Sequence, residues 1–382
     1  MKILIIMDGF FPGKKYGGPP VSVSNFCSLM NEYECYIVAR NHDNGDAIPY
    51  TEVNSGWNKR DNCNVLYLSD DKYTKDIFEK VICEIKPNVI YLQSIFQSCV
   101  VSCLGLAKKH KVSVLLAPRG ELCKGAFRKK YKKIPYICVL NALGLLKNVH
   151  FQSTSVEETE AIRKYLHAPY NMIHFLTNVP SLPLTQFPKY IKKSNFAQLV
   201  FLSRIHPKKN LIGALRMLSD VKGNVAFHIY GPIEDNSYWE TCKNEILRLP
   251  SNIDVKYCGL VSHDEVHRIF SSYDAFLFPT FSENYGHVIA EALIVGCPII
   301  ISDQTPWNDV NEWNAGWAIP LDDRDAYVKA IQQIVDCNSD IYREKAKQYV
   351  AKKIDFEQMR EENKKVFQMC IGSTNEKEKG PC

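Results

Sequence analysis

No stretch of this 382-residue chain reaches the ~18 uninterrupted apolar residues that a membrane-spanning helix needs, so no transmembrane helix is predicted. The opening run Met1–Asp8 is too short for the apolar core of a signal peptide and closes on an acid, which predicts a cytoplasmic protein. The 14 cysteines contain no CxxC pair, and Cys99 and Cys103, four residues apart, read as small buried apolar residues. Reduced thiols, with neither disulfide nor zinc, are therefore expected. GxGxxG is absent, which weighs against nicotinamide chemistry, and no GK[ST] closes a Walker loop. A net charge of only +5 argues against a dedicated nucleic-acid binder. No repeat of solenoid length is found.

The chain does contain a soluble globular balance, 46% hydrophobic and 23% charged residues, at a length suited to two domains. Short apolar runs alternate with amphipathic stretches. Strands are predicted at Lys2–Met7, Glu34–Ala39, Val65–Leu68, Val89–Gln93, Val112–Ala117, His150–Gln152 and Met172–Leu176, with helices such as Lys75–Ile85 and Phe96–Lys109 between them. Residues 178–196 hold three prolines and no period, the mark of a linker. A second series follows at Gln198–Leu202, Val225–Tyr230, Asp254–Tyr257, Ala275–Phe278 and Pro298–Ser302, and the chain is then helical from Asp322 to about Met369. The fold class expected is α/β, with two Rossmann-like, doubly wound parallel-sheet domains facing a cleft. The boundaries predicted are 1–180, a linker over 181–196, a second domain over 197–354, and a helix with a frayed tail over 355–382. The final helix is free to pack back on the first domain.

Three segments carry chemistry. In Phe278–Trp307 a strand enters a loop holding Glu283 and Asn284, and a helix starts near Tyr285 or Gly286. The free N–H groups of Tyr285, Gly286, His287 and Val288 would form an anion site. Glu283 and, eight residues on, Glu291 would accept hydrogen bonds from hydroxyls. Helix capping with a solvated Glu291 is the plainer alternative. In Phe201–Asn210, Arg204 and Lys209 would project from the carboxyl end of a strand, where two cations hold a diphosphate without a metal. In Gly13–Pro20, the turn Gly17-Gly18 precedes a helix and either approaches a phosphate or acceptor sugar or is a mobile surface turn. Asp323-Arg324-Asp325 formally spells a metal–diphosphate motif, but it follows Pro320-Leu321 at a helix start, where acids stabilise the dipole.

Taken together, these segments resemble the retaining glycosyltransferases of family 4, which have the GT-B fold. Glu283 and Glu291 match that family's EX7E motif, Arg204 and Lys209 its diphosphate pair, and Gly17-Gly18 its N-terminal glycine loop. The segments Tyr230–Asp235 and Ser302–Trp307 are similar to bacterial enzymes of surface-polysaccharide assembly, the lipopolysaccharide, capsule or O-antigen type. The resemblance implies a nucleotide-sugar donor, UDP-linked by preference, carrying a hexosyl or N-acetylhexosaminyl group. It further implies a saccharide or polyprenyl-diphosphate-linked acceptor, no cofactor and no metal. Glu283 would hold the sugar and Glu291 the ribose. Arg204, Lys209 and the N–H groups of Tyr285–Val288 would hold the diphosphate, with Tyr230, Gly231 and the Gly259-Leu260-Val261 loop near the nucleotide. The departing phosphate oxygen would take the acceptor's proton.

The chain departs from the family at Pro118-Arg119-Gly120-Glu121, where many members carry a histidine. Arg119 cannot be a base near neutral pH. It binds a phosphate of donor or acceptor, or else pairs with Glu121 or another acid. Residues 124–133 hold six Lys or Arg and precede the largely apolar Ile134–Leu146. The stretch 124–146 suits either peripheral contact with an anionic membrane or a helix with one core face and one charged, solvated face. A nucleotide-sugar 2-epimerase of the same fold and a non-catalytic sugar- or nucleotide-binding module are the rival readings.

Overall fold

The computed structural model describes residues 1–123, 130–182, 192–193, 195–337 and 340–375. The predicted linker falls largely outside them, as do most of the basic run 124–133 and the end of the tail. Two compact units are formed, one by Met1–Val179 with Phe356–Cys382 and the other by Pro180–Asp355.

The first unit contains β1 (Lys2–Ile6), α1 (Gly18–Leu29), β2 (Glu34–Arg40), β3 (Trp57–Arg60), β4 (Cys63–Leu68), α2 (Lys75–Ile85), β5 (Val89–Gln93), α3 (Val100–His110), β6 (Ser113–Ala117), α4 (Lys130–Ala142), β7 (His150–Ser153), α5 (Val156–Leu166) and β8 (Ile173–Phe175). Its sheet runs β3-β4-β2-β1-β5-β6-β7-β8, parallel throughout except for the edge pair β3–β4. The central strands β1, β5 and β6 read as nearly unbroken apolar runs because both faces are buried. Leu4 and Ile6 of β1 join a core with α2, α3, α4 and α5, whereas Ile3 and Ile5 join one with α1 on the opposite face. β3 escapes prediction because its sequence, WNKR, has no apolar alternation. α3 starts at Val100 rather than Phe96.

The second unit contains β9 (Phe196–Leu202), α6 (Leu211–Leu218), β10 (Asn224–Tyr230), α7 (Asn236–Ile246), β11 (Ile253–Gly259), α8 (His263–Ser271), β12 (Ala275–Phe278), α9 (His287–Ile294), β13 (Ile299–Ser302), β14 (Gly316–Ile319), α10 (Arg324–Asp336) and α11 (Asp340–Lys353). Its all-parallel sheet is ordered β11-β10-β9-β12-β13-β14. The four residues of β14 are too few to show a period. The chain winds outward from β9 to β11 and then returns to β12 on β9's other side, which makes β9/β12 the topological switch point; β1/β5 is its counterpart in the first unit.

The last helix, α12 (Phe356–Asn375), belongs to the first unit. The fully buried Phe367 stacks on Phe26 of α1 and meets Tyr91 of β5 edge-on. Ser113 Oγ donates to the Cys370 carbonyl at 2.6 Å, and Arg360 Nε donates to the Leu29 carbonyl at 3.0 Å. α12 thus closes the α1 face of the sheet.

Candidate active site

Two loops leave the carboxyl ends of the switch-point strands β9 and β12, and their backbones are bonded to each other. The loop after β9 is first zipped to the one after β10: Ser203 N–H donates to the Tyr230 carbonyl and Ile205 N–H to that of Pro232. Gly231 sits between them at φ 130°, where a Cβ would lie 2.0 Å from the Ser203 carbonyl oxygen, so no side chain fits. Asn210, left-handed at φ 57°, caps α6 by accepting from Gly213 N–H and donates its own amide to the Pro279 carbonyl. Phe281 N–H donates to the Lys208 carbonyl at 3.0 Å. The result is a rigid frame carrying Arg204, Lys209 and Glu283.

Within that frame Lys209 Nζ and Glu283 Oε1 are 2.5 Å apart, with side chains only 11% and 12% exposed. Thr280 Oγ1 lies 3.0 Å from the same carboxylate oxygen. Burial lowers the Lys209 pKa, opposed by Glu283 and reinforced by the neighbouring charges of Arg204 and Lys208. Arg204 instead donates to both oxygens of Glu234 at 2.8 Å, in a pair that is 42% and 43% exposed. A pair so open to water holds little energy. The two cations therefore differ: Arg204 is loosely engaged and Lys209 is locked. Sequence reasoning named Arg204, Lys209 and Glu283 but neither ion pair, because ion pairs across separate loops leave no spacing signal.

α9 begins as expected. Gly286 is its N-cap at φ 78° and offers no side-chain cap, so the N–H groups of His287 and Val288 have no acceptor within the helix. Tyr285 is fixed from behind, since its carbonyl accepts from the buried Trp307 indole at 2.7 Å and its ring meets Trp307 edge-on. Asn284 is exposed on the same loop, and Val261 is half-buried in the turn after β11. The Tyr230 hydroxyl is bonded to Tyr273 at 3.0 Å, and Tyr273 is bonded to His228.

Glu291 is not a solvated helix acid. It is buried, accepts from Ser181 Oγ at 3.1 Å, and has His263 Nδ1 3.8 Å away. Burial raises its pKa from 4.5 to about 8, with Ser181 acting in the opposite sense. The carboxyl therefore keeps its proton to higher pH in the folded protein than in the unfolded chain. From about pH 4.5 to about 8, each rise in pH therefore favours unfolding by several kcal/mol in all. Glu291→Gln is expected to flatten this profile, as urea midpoints measured at the two ends of the window will check.

In the first unit, Gly17 lies at φ 73° as the N-cap of α1 and Gly18 opens the helix. The turn before them is tied down: Lys14 and Lys15 N–H both donate to the Asp43 carboxylate, and Tyr16 OH donates to the His42 carbonyl. Arg119, at the carboxyl end of β6, does not pair with Glu121. Its Nε and Nη2 donate to Gln93, its Nη2 also to Tyr91 OH, and its Nη1 to Asn178. Glu121 instead accepts from Ser94 Oγ and Ile95 N–H. Among the described residues no carboxylate pairs with Arg119, so neutral acceptors hold the guanidinium in place without cancelling its charge. Asp323 caps α10, its carboxylate accepting from Ala326 N–H at 3.0 Å.

The sequence over residues 184–353 matches the model for glycosyl transferases group 1. The matched segment holds the β9/β12 switch point with Arg204, Lys209, Glu283 and Glu291, but not Ser181. The whole chain has the GT-B fold of two parallel-sheet α/β units. It is similar to sucrose-phosphate synthase from Thermosynechococcus elongatus, at 14% identity and TM-score 0.70 over 97% of this chain and 99% of that one. It is similar also to HepE of Anabaena, solved with UDP and glucose, at 14% identity and TM-score 0.65 over 97% and 100%. A third likeness is to the lipopolysaccharide outer core galactosyltransferase WaaB, at 17% identity and TM-score 0.59 over 98% and 99%. No curated protein matches the sequence closely enough to be reported.

Proposed function

We propose that this protein is a retaining glycosyltransferase of family 4. It moves a sugar from a nucleotide-diphosphate sugar, UDP-linked by preference, to a saccharide or lipid-linked saccharide acceptor in cell-surface polysaccharide synthesis. It works in the cytoplasm, at the inner face of a membrane. The observation that carries the reading is the convergence of Lys209, Arg204, Glu283 and the uncapped start of α9 at one topological switch point. UDP is favoured because HepE was solved with it, and the polysaccharide role rests on the likeness to WaaB.

On this reading the donor's diphosphate replaces Glu283 on Lys209 and Glu234 on Arg204, and lies against the N–H groups of α9. Glu283, released, accepts hydrogen bonds from the sugar hydroxyls, while Glu291 meets the ribose. Tyr230, Gly231 and Val261 flank the nucleotide, and Asn284 and Tyr285 flank the sugar. The bond from the anomeric carbon to the departing phosphate oxygen breaks, and the acceptor oxygen bonds to the same face of that carbon. The acceptor's hydroxyl proton passes to the departing phosphate oxygen, so no protein base is needed. Gly17, Gly18 and Arg119 serve the acceptor; Arg119 keeps one Nη1 hydrogen and an uncancelled charge for a phosphate.

Thermal shift with UDP-, GDP-, ADP- and dTDP-sugars tests the donor, and NMR of the product's anomeric centre tests retention. An epimerised donor, or a bound ligand returned unchanged in the presence of acceptors, would overturn the reading. Two cations and a helix start supply the charge a metal would otherwise bring, so EDTA is expected to leave the rate unchanged. A rate abolished by EDTA and restored by Mg²⁺ or Mn²⁺ would remove metal independence.

A further inference from the structure

Arg119 follows β6 at the carboxyl end of the first unit's sheet, and Gln93 is the last residue of the neighbouring β5. Ligands of such sheets gather at that end, near the reversal of strand order that here falls at β1/β5. Arg119 takes a left-handed φ of 56°, uncommon for a residue with a side chain. The turn is held there by the Gly120 N–H, which donates to the buried Glu158 at 2.5 Å. Glu158 also accepts from Thr154 Oγ1 at 2.7 Å, and Glu121 accepts from Ser94 and Ile95, so both nearby acids are engaged elsewhere.

Every partner of the guanidinium among the described residues is neutral. Gln93 Oε1 accepts from Nε at 2.8 Å and from Nη2 at 2.6 Å. Tyr91 OH donates its hydrogen to Gln152 at 2.5 Å, so toward Nη2 it can only accept. Asn178 Oδ1 accepts from Nη1. The two bonds from Arg119 fix the Gln93 amide with its oxygen toward the guanidinium. Gln93 is completely buried, yet its Nε2 finds no acceptor among the described residues. A buried donor left unsatisfied costs stability. A glutamate has the same shape, would meet the guanidinium with two charged oxygens and would leave no donor unsatisfied. The amide is therefore the less stable choice at this position, and what it preserves is the positive charge of Arg119.

We propose that Gln93 is a positioning residue that holds the Arg119 guanidinium in place without cancelling its charge, which gives the first unit a seat for a phosphate group carried by the acceptor. The inference rests on the reading of Arg119 as an acceptor residue, and it adds that the acceptor is anionic.

The test is calorimetric titration of the full chain with inorganic phosphate, in saturating UDP and at fixed ionic strength, beside melting temperatures of the same proteins. The unaltered protein is expected to bind phosphate, and Arg119→Met to lose it. Gln93→Glu is expected to weaken phosphate binding by about tenfold or more while melting no lower than the unaltered protein. Asn178→Asp sets a carboxylate on Nη1 instead and should do the same; it carries the test if Gln93→Glu does not fold. Glucose 1-phosphate and geranyl diphosphate, titrated in turn, tell a sugar phosphate from a lipid one, and the tighter of the two names the source. An unaltered protein that binds no phosphate would overturn the proposal. In a folded variant, a fall in both readouts together would mark the glutamine as merely structural and overturn it too. If Arg119→Met alone loses phosphate, the role of Gln93 falls and the acceptor reading of Arg119 stands. UDP is titrated first, so a failure of the donor assignment shows separately, as a protein that binds phosphate through Arg119 but does not bind UDP.

Discussion

Glu283→Gln is expected to lose transfer by about 10²–10³-fold while binding the nucleotide diphosphate at least as tightly as the unaltered protein. The rate loss follows if the carboxylate's bonds to the sugar strengthen as charge develops at the anomeric centre, the regime in which one well-placed polar group contributes that much. The unimpaired affinity follows from the structure. Glu283 occupies Lys209 at 2.5 Å, and a donor must displace it before the ammonium can reach a phosphate. An uncharged amide competes less for Lys209. Steady-state rates with saturating donor, beside calorimetric titration with UDP, separate the two effects. A variant with normal turnover would end the assignment of Glu283 to the sugar.

Lys209→Met is expected to do the reverse to binding. Donor affinity should fall by ~2–5 kcal/mol, because the cation removed is the buried one rather than the exposed Arg204. Stability should fall too, by about 3–5 kcal/mol, since Glu283 is left buried without its counter-ion. Combining Lys209→Met with Glu283→Gln removes both charges and should recover most of the stability and none of the activity. Urea denaturation and the same titrations check this. Normal UDP affinity in the single variant would take the diphosphate away from Lys209.

Both expectations rest on residues that could be read as letters, and on partners that could not. The strand ends at Leu202 and Phe278 were legible because fully buried parallel strands are unbroken apolar runs bounded by polar loops. The helix start at Gly286 was legible because only glycine easily adopts the left-handed cap that lies there. Arg204 and Lys209 were legible as cations following a strand. That Arg204 rests on Glu234, 30 residues on, and Lys209 on Glu283, 74 residues on, was not. Glu291 shows the same limit more sharply. Its spacing from Glu283 was plain, but its burial beneath Ser181 and its raised pKa come from packing alone.

Local pattern therefore determined the strand–helix alternation, the paired-domain organisation and the identity of the charged groups near the strand ends, because period, capping and turn chemistry act over a few residues. Tertiary structure decided what those groups do to one another. It placed β12 beside β9, locked Lys209 onto Glu283, set the neutral acceptors Gln93, Tyr91 and Asn178 around Arg119, and turned the apolar outer face of α4 to solvent. Burial and charge pairing depend on which distant segments meet, and the order of the strands across each sheet settles that.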